Sequence, residues 1–188
     1  INTSFVKYQT IGREEINAVT KVMETGTLSA YYGSWGDSFL GGPQVRKFEE
    51  EVQEFFDVKH AITVNSWTSG LTAAVGALEI EPGDEIIVTP WTMCASATAI
   101  LQWNAIPIFA DIEADGFCLD PESIEKNITD RTKAIMSVDI FGQSADVDKI
   151  NALAKKYDLK VISDTAQAPG AKVDSRFAGT CTDIGGFS

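Results

Sequence analysis

The segment DTAQ, residues 164–167, is the strongest candidate for chemistry in this sequence. It follows the apolar run KVIS, which is typical of a buried strand, so Asp164 ends that strand. A buried carboxylate is costly without a partner. A protonated pyridine nitrogen would be such a partner, because the carboxylate then lets the ring act as an electron sink. Gln167 can hydrogen-bond to the same ligand; alternatively, Asp164 only caps the following turn.

A second candidate is NSWTSGL, residues 65–71, where a predicted strand ends and a helix begins. Thr68 and Ser69 can cap that helix, and the free N–H groups of its first turn favour an anion such as phosphate. The alternative role is capping alone. The segment lacks the glycine and lysine pattern of a Walker loop, so it does not predict a nucleotide-triphosphate site.

A third candidate is TPWTMCASA, residues 89–97, which again follows a predicted strand. Trp91 and Met93 would lie at the ligand-binding edge of a sheet, where such side chains can hold a flat ring. The alternative is ordinary packing of both side chains in the core.

The elements that must position these segments alternate between strand-like and helix-like patterns. Short, continuous apolar runs predict strands at AITVN (61–65), EIIVT (85–89), PIFAD (107–111), KAIMSVDIF (133–141) and KVISD (160–164). Apolar residues at helical spacing predict helices over 16–23, 45–56, 71–78, 95–103 and 147–157, and a short one after Asp120-Pro121. This order predicts an α/β fold with a mainly parallel sheet that helices cover on both faces. The three candidate segments would then meet at the carboxyl edge of the sheet.

Composition excludes several functions. The chain has 188 residues and a formal net charge of -12, which disfavours binding to nucleic acid or to anionic lipid. No apolar run approaches the roughly 20 residues that span a bilayer. Three separated cysteines and a single histidine, His60, predict no metal site, no disulfide framework and a reducing, cytoplasmic location.

Residues 26–42 interrupt the alternation with five glycines and the aromatic residues Tyr31, Tyr32, Trp35 and Phe39. This segment is either a surface loop whose aromatic residues anchor it to the core or a mobile flap over a ligand.

Taken together, the ordered segments of this chain resemble the DegT/DnrJ/StrS family of sugar aminotransferases, which depend on pyridoxal 5'-phosphate. The segments are NSWTSGLTAAVGALEIEPGDEIIVTP, AIPIFADIEADGFCLDP, ITDRTKAIMSVDIFGQSADVD, ISDTAQAPGAKV and DIGGFS. The resemblance implies an aspartate-aminotransferase-like large domain of fold type I. It also implies that residues 1–188 form an N-terminal segment and most of that domain. The lysine that anchors the cofactor and the small C-terminal domain would lie beyond Ser188.

The resemblance also implies roles for individual residues. Trp67, Thr68, Ser69 and Ser188 match positions that bind the cofactor phosphate. Trp67 departs from the family, which usually has glycine there, so this turn either has another shape or contributes only its backbone.

For the cofactor ring, the resemblance implies that Asp164 pairs with the pyridinium nitrogen as a catalytic residue and that Gln167 reaches the ring hydroxyl. Met93 stands where relatives stack an aromatic ring, and Trp91 is the alternative for that role. Asp139 stands where many relatives have histidine near the substrate. Residues 30–40 resemble an insertion, which we expect to affect substrate choice.

The implied reaction transfers an amino group from glutamate or glutamine to a keto-sugar, which is nucleotide-linked. The implied assembly is a homodimer whose subunits share each active site. Two alternatives stay open at this stage. One is a sugar dehydratase, in which histidine replaces the anchoring lysine; the other is a non-catalytic fragment or binding protein that retains the cofactor cradle.

Overall fold

A computed structural model of the chain describes residues 9–28 and 30–188. The chain divides into two compact units, Ile1–Thr63 and Val64–Ser188. None of the described helices is long and apolar enough to cross a membrane.

The first unit contains two helices, α1 (Arg13–Thr25) and α2 (Pro43–Phe56). The carboxylate of Glu15 accepts a hydrogen bond from the N–H of Gly12 at 2.6 Å and so closes the first turn of α1. Proline opens α2, where its missing N–H has no acceptor in any case. Both helices confirm predictions from apolar spacing.

Between these helices, no described residue of the segment 26–42 belongs to a helix or strand. Two of its aromatic residues contact each other: the rings of Trp35 and Phe39 meet edge to face at 4.4 Å. Trp35 is 84% exposed, so it does not anchor the segment to a core. The other interpretation, a mobile flap, stays a prediction.

The second unit is built on a five-stranded parallel sheet in the order β2-β1-β3-β4-β7. The strands are β1 (Glu85–Val88), β2 (Ile106–Phe109), β3 (Thr132–Val138), β4 (Lys160–Asp164) and β7 (Ile184–Gly186). Two further strands, β5 (Lys172–Val173) and β6 (Arg176–Phe177), form a small antiparallel hairpin. The predicted α/β class and mainly parallel sheet are confirmed.

Helices cover both faces of this sheet. They are α3 (Trp67–Ala77), α4 (Cys94–Leu101), α5 (Pro121–Lys126) and α6 (Val147–Tyr157). Neighbouring residues of one strand enter different cores: Ile86 packs with Leu71 and Ile100, whereas Ile87 packs with Leu119 and Ile150. Because a strand buried on both faces needs apolar residues throughout, the continuous apolar runs in the sequence are explained.

Two strand predictions need correction. The run AITVN, residues 61–65, forms no strand, and Ile62 in it is 83% exposed. An apolar run becomes a strand only where a neighbour completes its hydrogen-bond ladder, and none of the described residues does so here. The run KAIMSVDIF is a strand only to Val138, because Ile140–Gly142 turns as a short 3₁₀ helix with Phe141 at φ 57°. Strand β7 and the hairpin were not predicted.

A buried acid lies at the amino-terminal edge of the sheet, opposite the candidate site. Glu85 is 1% exposed and accepts hydrogen bonds from the hydroxyl of Thr129 and from the guanidinium group of Arg131. The Thr129 bond, supported by Arg131, lowers the pKa of Glu85 although burial opposes this shift.

Candidate functional site

The three candidate segments meet at the carboxyl edge of the sheet, as the sequence predicted. Asp164 is the last residue of β4 and pairs with Val138 on one side and Gly186 on the other. The first turns of α3 and α4 reach the same carboxylate through Trp67 and Ser96.

Asp164 is 5% exposed and accepts three hydrogen bonds. The indole N–H of Trp67 donates to Oδ1 at 2.8 Å, and the backbone N–H of Ala166 donates to the same oxygen at 3.3 Å. The hydroxyl of Ser96 donates to Oδ2 at 2.7 Å. These donors compensate the burial of the negative charge. The contact with Ala166 shows that Asp164 also caps the turn, so this alternative describes part of its role.

Trp67 is the first residue of α3, and its ring occupies space that two glycines leave open. A Cβ atom added to Gly186 would lie 1.9 Å from the Trp67 ring, and one added to Gly70 would lie 2.4 Å from it. The side chain of Trp67 is therefore directed at Asp164. Phosphate binding by Trp67 stays a prediction, and with the side chain engaged only its backbone N–H is left for it.

The cap of α3 differs from the prediction. Ser66 is the N-cap residue, and its hydroxyl accepts a hydrogen bond from the N–H of Ser69 at 3.3 Å. Capping by Thr68 and Ser69 is therefore wrong, because the helix already begins at Trp67 and both residues lie inside its first turn. The N–H groups of Trp67 and Thr68 have no acceptor within the helix, as at any helix start, so the predicted anion site keeps its donors.

An open cleft of about 470 Å³ lies at the same carboxyl edge of the sheet, among residues that follow β1, β3 and β4. Its lining consists of Pro90, Trp91, Thr92, Met93, Ile140, Phe141 and Gln167. Trp91 is 49% exposed and Met93 is 66% exposed, so packing of these two side chains in the core is wrong. Both present apolar surface to the cleft.

Gln167 is oriented by the 3₁₀ turn that follows β3. Its Oε1 accepts a hydrogen bond from the N–H of Phe141 at 2.9 Å. Since the oxygen is engaged, the amide NH₂ is the end that can donate to a ligand in the cleft.

Ser188 lies two residues beyond β7 at the same edge of the sheet. Its neighbour in β7, Gly186, contacts the ring of Trp67, and the carbonyl of Gly186 accepts a hydrogen bond from the N–H of Thr165 at 3.0 Å. The end of β7 therefore lies close to Trp67, the first residue of α3. Contact between Ser188 and a phosphate stays a prediction.

Asp139 is a second buried carboxylate, 2% exposed, directly after β3. Its oxygens accept hydrogen bonds from the N–H of Ala145 at 2.9 Å and the hydroxyl of Thr165 at 2.7 Å. Burial raises the pKa of Asp139, and the charge of Asp164 adds to this effect, whereas the two hydrogen bonds oppose it. Asp139 therefore holds the turn that carries Phe141.

Sequence reasoning missed Ser96, which is fully buried in α4. The signal was a serine within the otherwise apolar stretch CASATAIL, since a buried hydroxyl needs a hydrogen-bond partner. For metals, the described ranges 9–28 and 30–188 contain no group of three or more histidine, cysteine or acidic residues that could hold an ion.

Fold and site together place the chain among α/β proteins that bind ligands at the carboxyl edge of a parallel sheet. More specifically, residues 9–188 match the DegT/DnrJ/EryC1/StrS aminotransferase family, and the chain belongs to that family. Members of this family are pyridoxal-phosphate-dependent enzymes.

Similarity to individual proteins agrees with this assignment. The chain is 40% identical to the spore coat polysaccharide biosynthesis protein SpsC of Bacillus subtilis, over 95% of this chain and 43% of that protein. It is also 40% identical to GDP-perosamine synthase of Vibrio cholerae, over 78% of this chain and 40% of the synthase. The chain thus spans less than half the length of these relatives.

Solved structures are similar as well. The aminotransferase from Psychrobacter cryohalolentis superposes with a TM-score of 0.89 at 36% identity, covering 98% of this chain and 45% of that one. NtdA from Bacillus subtilis, solved with bound cofactor PMP, superposes with a TM-score of 0.79 at 30% identity, covering 95% and 41%. These neighbours confirm the predicted fold type I architecture.

Proposed function

We propose that the complete protein transfers an amino group from glutamate or glutamine to a nucleotide-linked keto-sugar, with pyridoxal 5'-phosphate as cofactor. The observation that carries this proposal is Asp164, a buried carboxylate at the end of β4 that lies beside the first turn of α3. The family assignment supports the amino transfer, and the name GDP-perosamine synthase supports a nucleotide-linked sugar.

The residues present fit this cofactor. A carboxylate has about four acceptor sites, and three donors already contact Asp164, so one site on Oδ2 is left for the ring nitrogen. The amide NH₂ of Gln167 suits the ring hydroxyl, and the face of Trp91 or Met93 suits the ring itself. For the phosphate, we propose the first-turn N–H groups of α3 together with the hydroxyls of Thr68, Ser69 and Ser188.

When bound, the cofactor supplies an electron sink for the carbon that exchanges its amino group. The chain's own contribution is to hold charge and protons in place. Asp164, fixed by Trp67 and Ser96, keeps a proton on the ring nitrogen by offering it a negative charge. Gln167 donates to the ring oxygen because the Phe141 N–H already engages its own oxygen. Burial of Asp164 keeps water from competing for the same contact.

The wider assembly is also part of the proposal. We place residues 1–188 in the N-terminal segment and most of the large domain, which the 38–47% coverage of curated relatives supports. The small C-terminal domain and the lysine that anchors the cofactor would be supplied by the rest of the protein. A homodimer with shared active sites follows from the family resemblance, and a cytoplasmic location from the cysteine usage.

The test uses the complete protein with added pyridoxal phosphate. We expect a visible absorbance band from bound cofactor, and amino transfer from glutamate or glutamine to at least one nucleotide-linked keto-sugar, followed by mass spectrometry. Absence of both would contradict the proposal. Cofactor uptake with loss of water from the sugar, and no gain of nitrogen, would favour the dehydratase alternative instead.

A further inference from the structure

We propose that Trp67 and Ser96 are positioning residues that fix the carboxylate of Asp164 from two sides, so that a single acceptor site remains for the cofactor's ring nitrogen. This inference rests on the proposed function and deepens it. It assigns to Trp67 a role through its side chain, where the sequence predicted only a contact with phosphate.

Trp67 holds Oδ1 because its ring has little freedom to turn. The ring lies against Gly186 of β7 and against Gly70, one turn along α3. It is so close to both that a Cβ atom on either glycine would clash with it. Its indole N–H is a donor only, and it reaches Oδ1 at 2.8 Å. With the N–H of Ala166 on the same oxygen, Oδ1 has no further acceptor site.

Ser96 holds Oδ2 from the other helix. A carboxylate only accepts hydrogen bonds, so the proton in the 2.7 Å contact comes from the Ser96 hydroxyl. The hydroxyl of Thr92 lies 2.8 Å from the same oxygen of Ser96 and must therefore be its donor. Thr92 lines the open cleft, so a chain of hydroxyls leads from the cleft to the buried carboxylate.

The consequence is a carboxylate whose plane is set before any ligand binds. The last torsion of an aspartate side chain is broad when nothing restrains it. Donors on both oxygens, supplied by α3 and α4, remove that freedom. The remaining site on Oδ2 then has a fixed direction, and preorganisation of this kind contributes affinity.

The experiment measures how strongly the complete protein discriminates pyridoxal phosphate from its 1-deaza analogue, in which CH replaces the ring nitrogen. Only the natural cofactor can pair with Asp164. We expect Trp67→Phe, which keeps a ring but removes the N–H, to weaken binding of pyridoxal phosphate about tenfold. Binding of the deaza analogue should stay the same.

A matched control is Trp103→Phe. The indole N–H of Trp103 donates to the carbonyl of Thr72 at 2.7 Å, and its ring also lies against a glycine, Gly76. This variant loses the same chemical group away from Asp164 and should leave both affinities unchanged. If Trp67→Phe does not fold, as judged by thermal unfolding, Ser96→Ala provides the same test at Oδ2.

The outcomes separate this inference from the proposed function. If the unmodified protein binds neither compound, the proposed function fails. If it prefers pyridoxal phosphate and Trp67→Phe or Ser96→Ala keeps that preference undiminished, only the inference is overturned. An equal loss of affinity for both compounds also overturns it, because the side chain would then act on overall structure and not on the ring-nitrogen contact.

Discussion

Replacement of Asp164 by asparagine separates the charge of this side chain from its shape. In the favoured orientation, the amide oxygen takes the place of Oδ1 and accepts from Trp67 and Ala166, so the amide NH₂ takes the place of Oδ2. The opposite orientation would set the NH₂ against two N–H donors. Leaving a buried donor unsatisfied costs about 1–3 kcal/mol, so the amide should keep the first orientation.

The expected fall in the rate of amino transfer depends on the group that the amide then presents to the cofactor ring. An N–H group at the position of Oδ2 can contact the ring nitrogen only when that nitrogen carries no proton. The protonated ring loses a charge-assisted hydrogen bond, worth about 1.5–3 kcal/mol. The rate of amino transfer should therefore fall by about 10- to 150-fold. Cofactor affinity should change less, since the unprotonated ring still finds a donor.

Stability gives a second readout that does not depend on the proposed function. The free energy of unfolding of Asp164→Asn should lie within about 1 kcal/mol of that of the unmodified protein, because Ser96 can turn its hydroxyl to the Met93 carbonyl, 3.3 Å away. Asp164→Ala leaves the Trp67 N–H without its partner and should be less stable than the asparagine variant by about 1–3 kcal/mol.

The assays are urea unfolding of the complete protein and steady-state amino transfer with saturating cofactor. Two results would refute the reasoning. One is an alanine variant as stable as the asparagine variant, which would mean that the Trp67 contact contributes nothing. The other is an asparagine variant with undiminished turnover, which would mean that the carboxylate does not act on the cofactor ring.

Three further predictions concern stability. Asp139→Asn should raise the melting temperature, and by more as pH rises from 4 to 7.5. The pKa of Asp139 is raised in the folded state, so its ionisation at higher pH destabilises that state, and asparagine cannot ionise. Arg131→Ala should cost about 1–3 kcal/mol at pH 7, since it removes donors from buried Glu85. That loss should shrink on acidification, because a lowered pKa adds stability only above the unfolded-state pKa. Gly185→Ala should cost about 1–3 kcal/mol, because its Cβ would lie 1.9 Å from the carbonyl oxygen of Gly179.

Melting temperatures across pH and urea unfolding check these predictions. Gly36→Ala is the control for the glycine, since a Cβ there meets no atom within 4 Å. Each prediction has an outcome that would contradict it. For Asp139→Asn it is a difference in melting temperature that does not change with pH. For Arg131→Ala it is a loss of stability that grows in acid, and for Gly185→Ala it is a stability equal to that of Gly36→Ala.

The parts of the fold that sequence could predict are those that depend on local patterns. Apolar spacing alone located α1, α2 and α6, and continuous apolar runs located the buried strands β1 and β4. The same criterion failed for residues 61–65, because a strand also needs a hydrogen-bonded neighbour. That neighbour comes from a distant part of the sequence, so the run itself cannot reveal it. Strand β7, with two glycines in three residues, has no strand-like composition and exists because β4 pairs with it.

For the site, sequence reasoning found Asp164 at the end of a strand and the first turn of α3, but it missed Ser96 inside α4. Asp164 and Gln167 were predicted because a polar residue after a buried run is conspicuous. Ser96 was not, since serine inside a short helix usually bonds to its own backbone. Only the packing of α4 on the sheet brings its hydroxyl to Asp164.

Trp67 shows how a departure from a family pattern can be consistent with the rest of the structure. The family resemblance implies glycine at this position, so a bulky ring there needs space that a glycine would not. Here the volume of the ring fits because Gly70 and Gly186 leave space for it, and its indole N–H donates a hydrogen bond to the buried carboxylate of Asp164. The ring position that fits between the two glycines is thus also the position from which the indole N–H reaches Asp164. The glycine at the end of β7 accordingly belongs to the site as much as the polar residues do, although it offers no chemistry of its own.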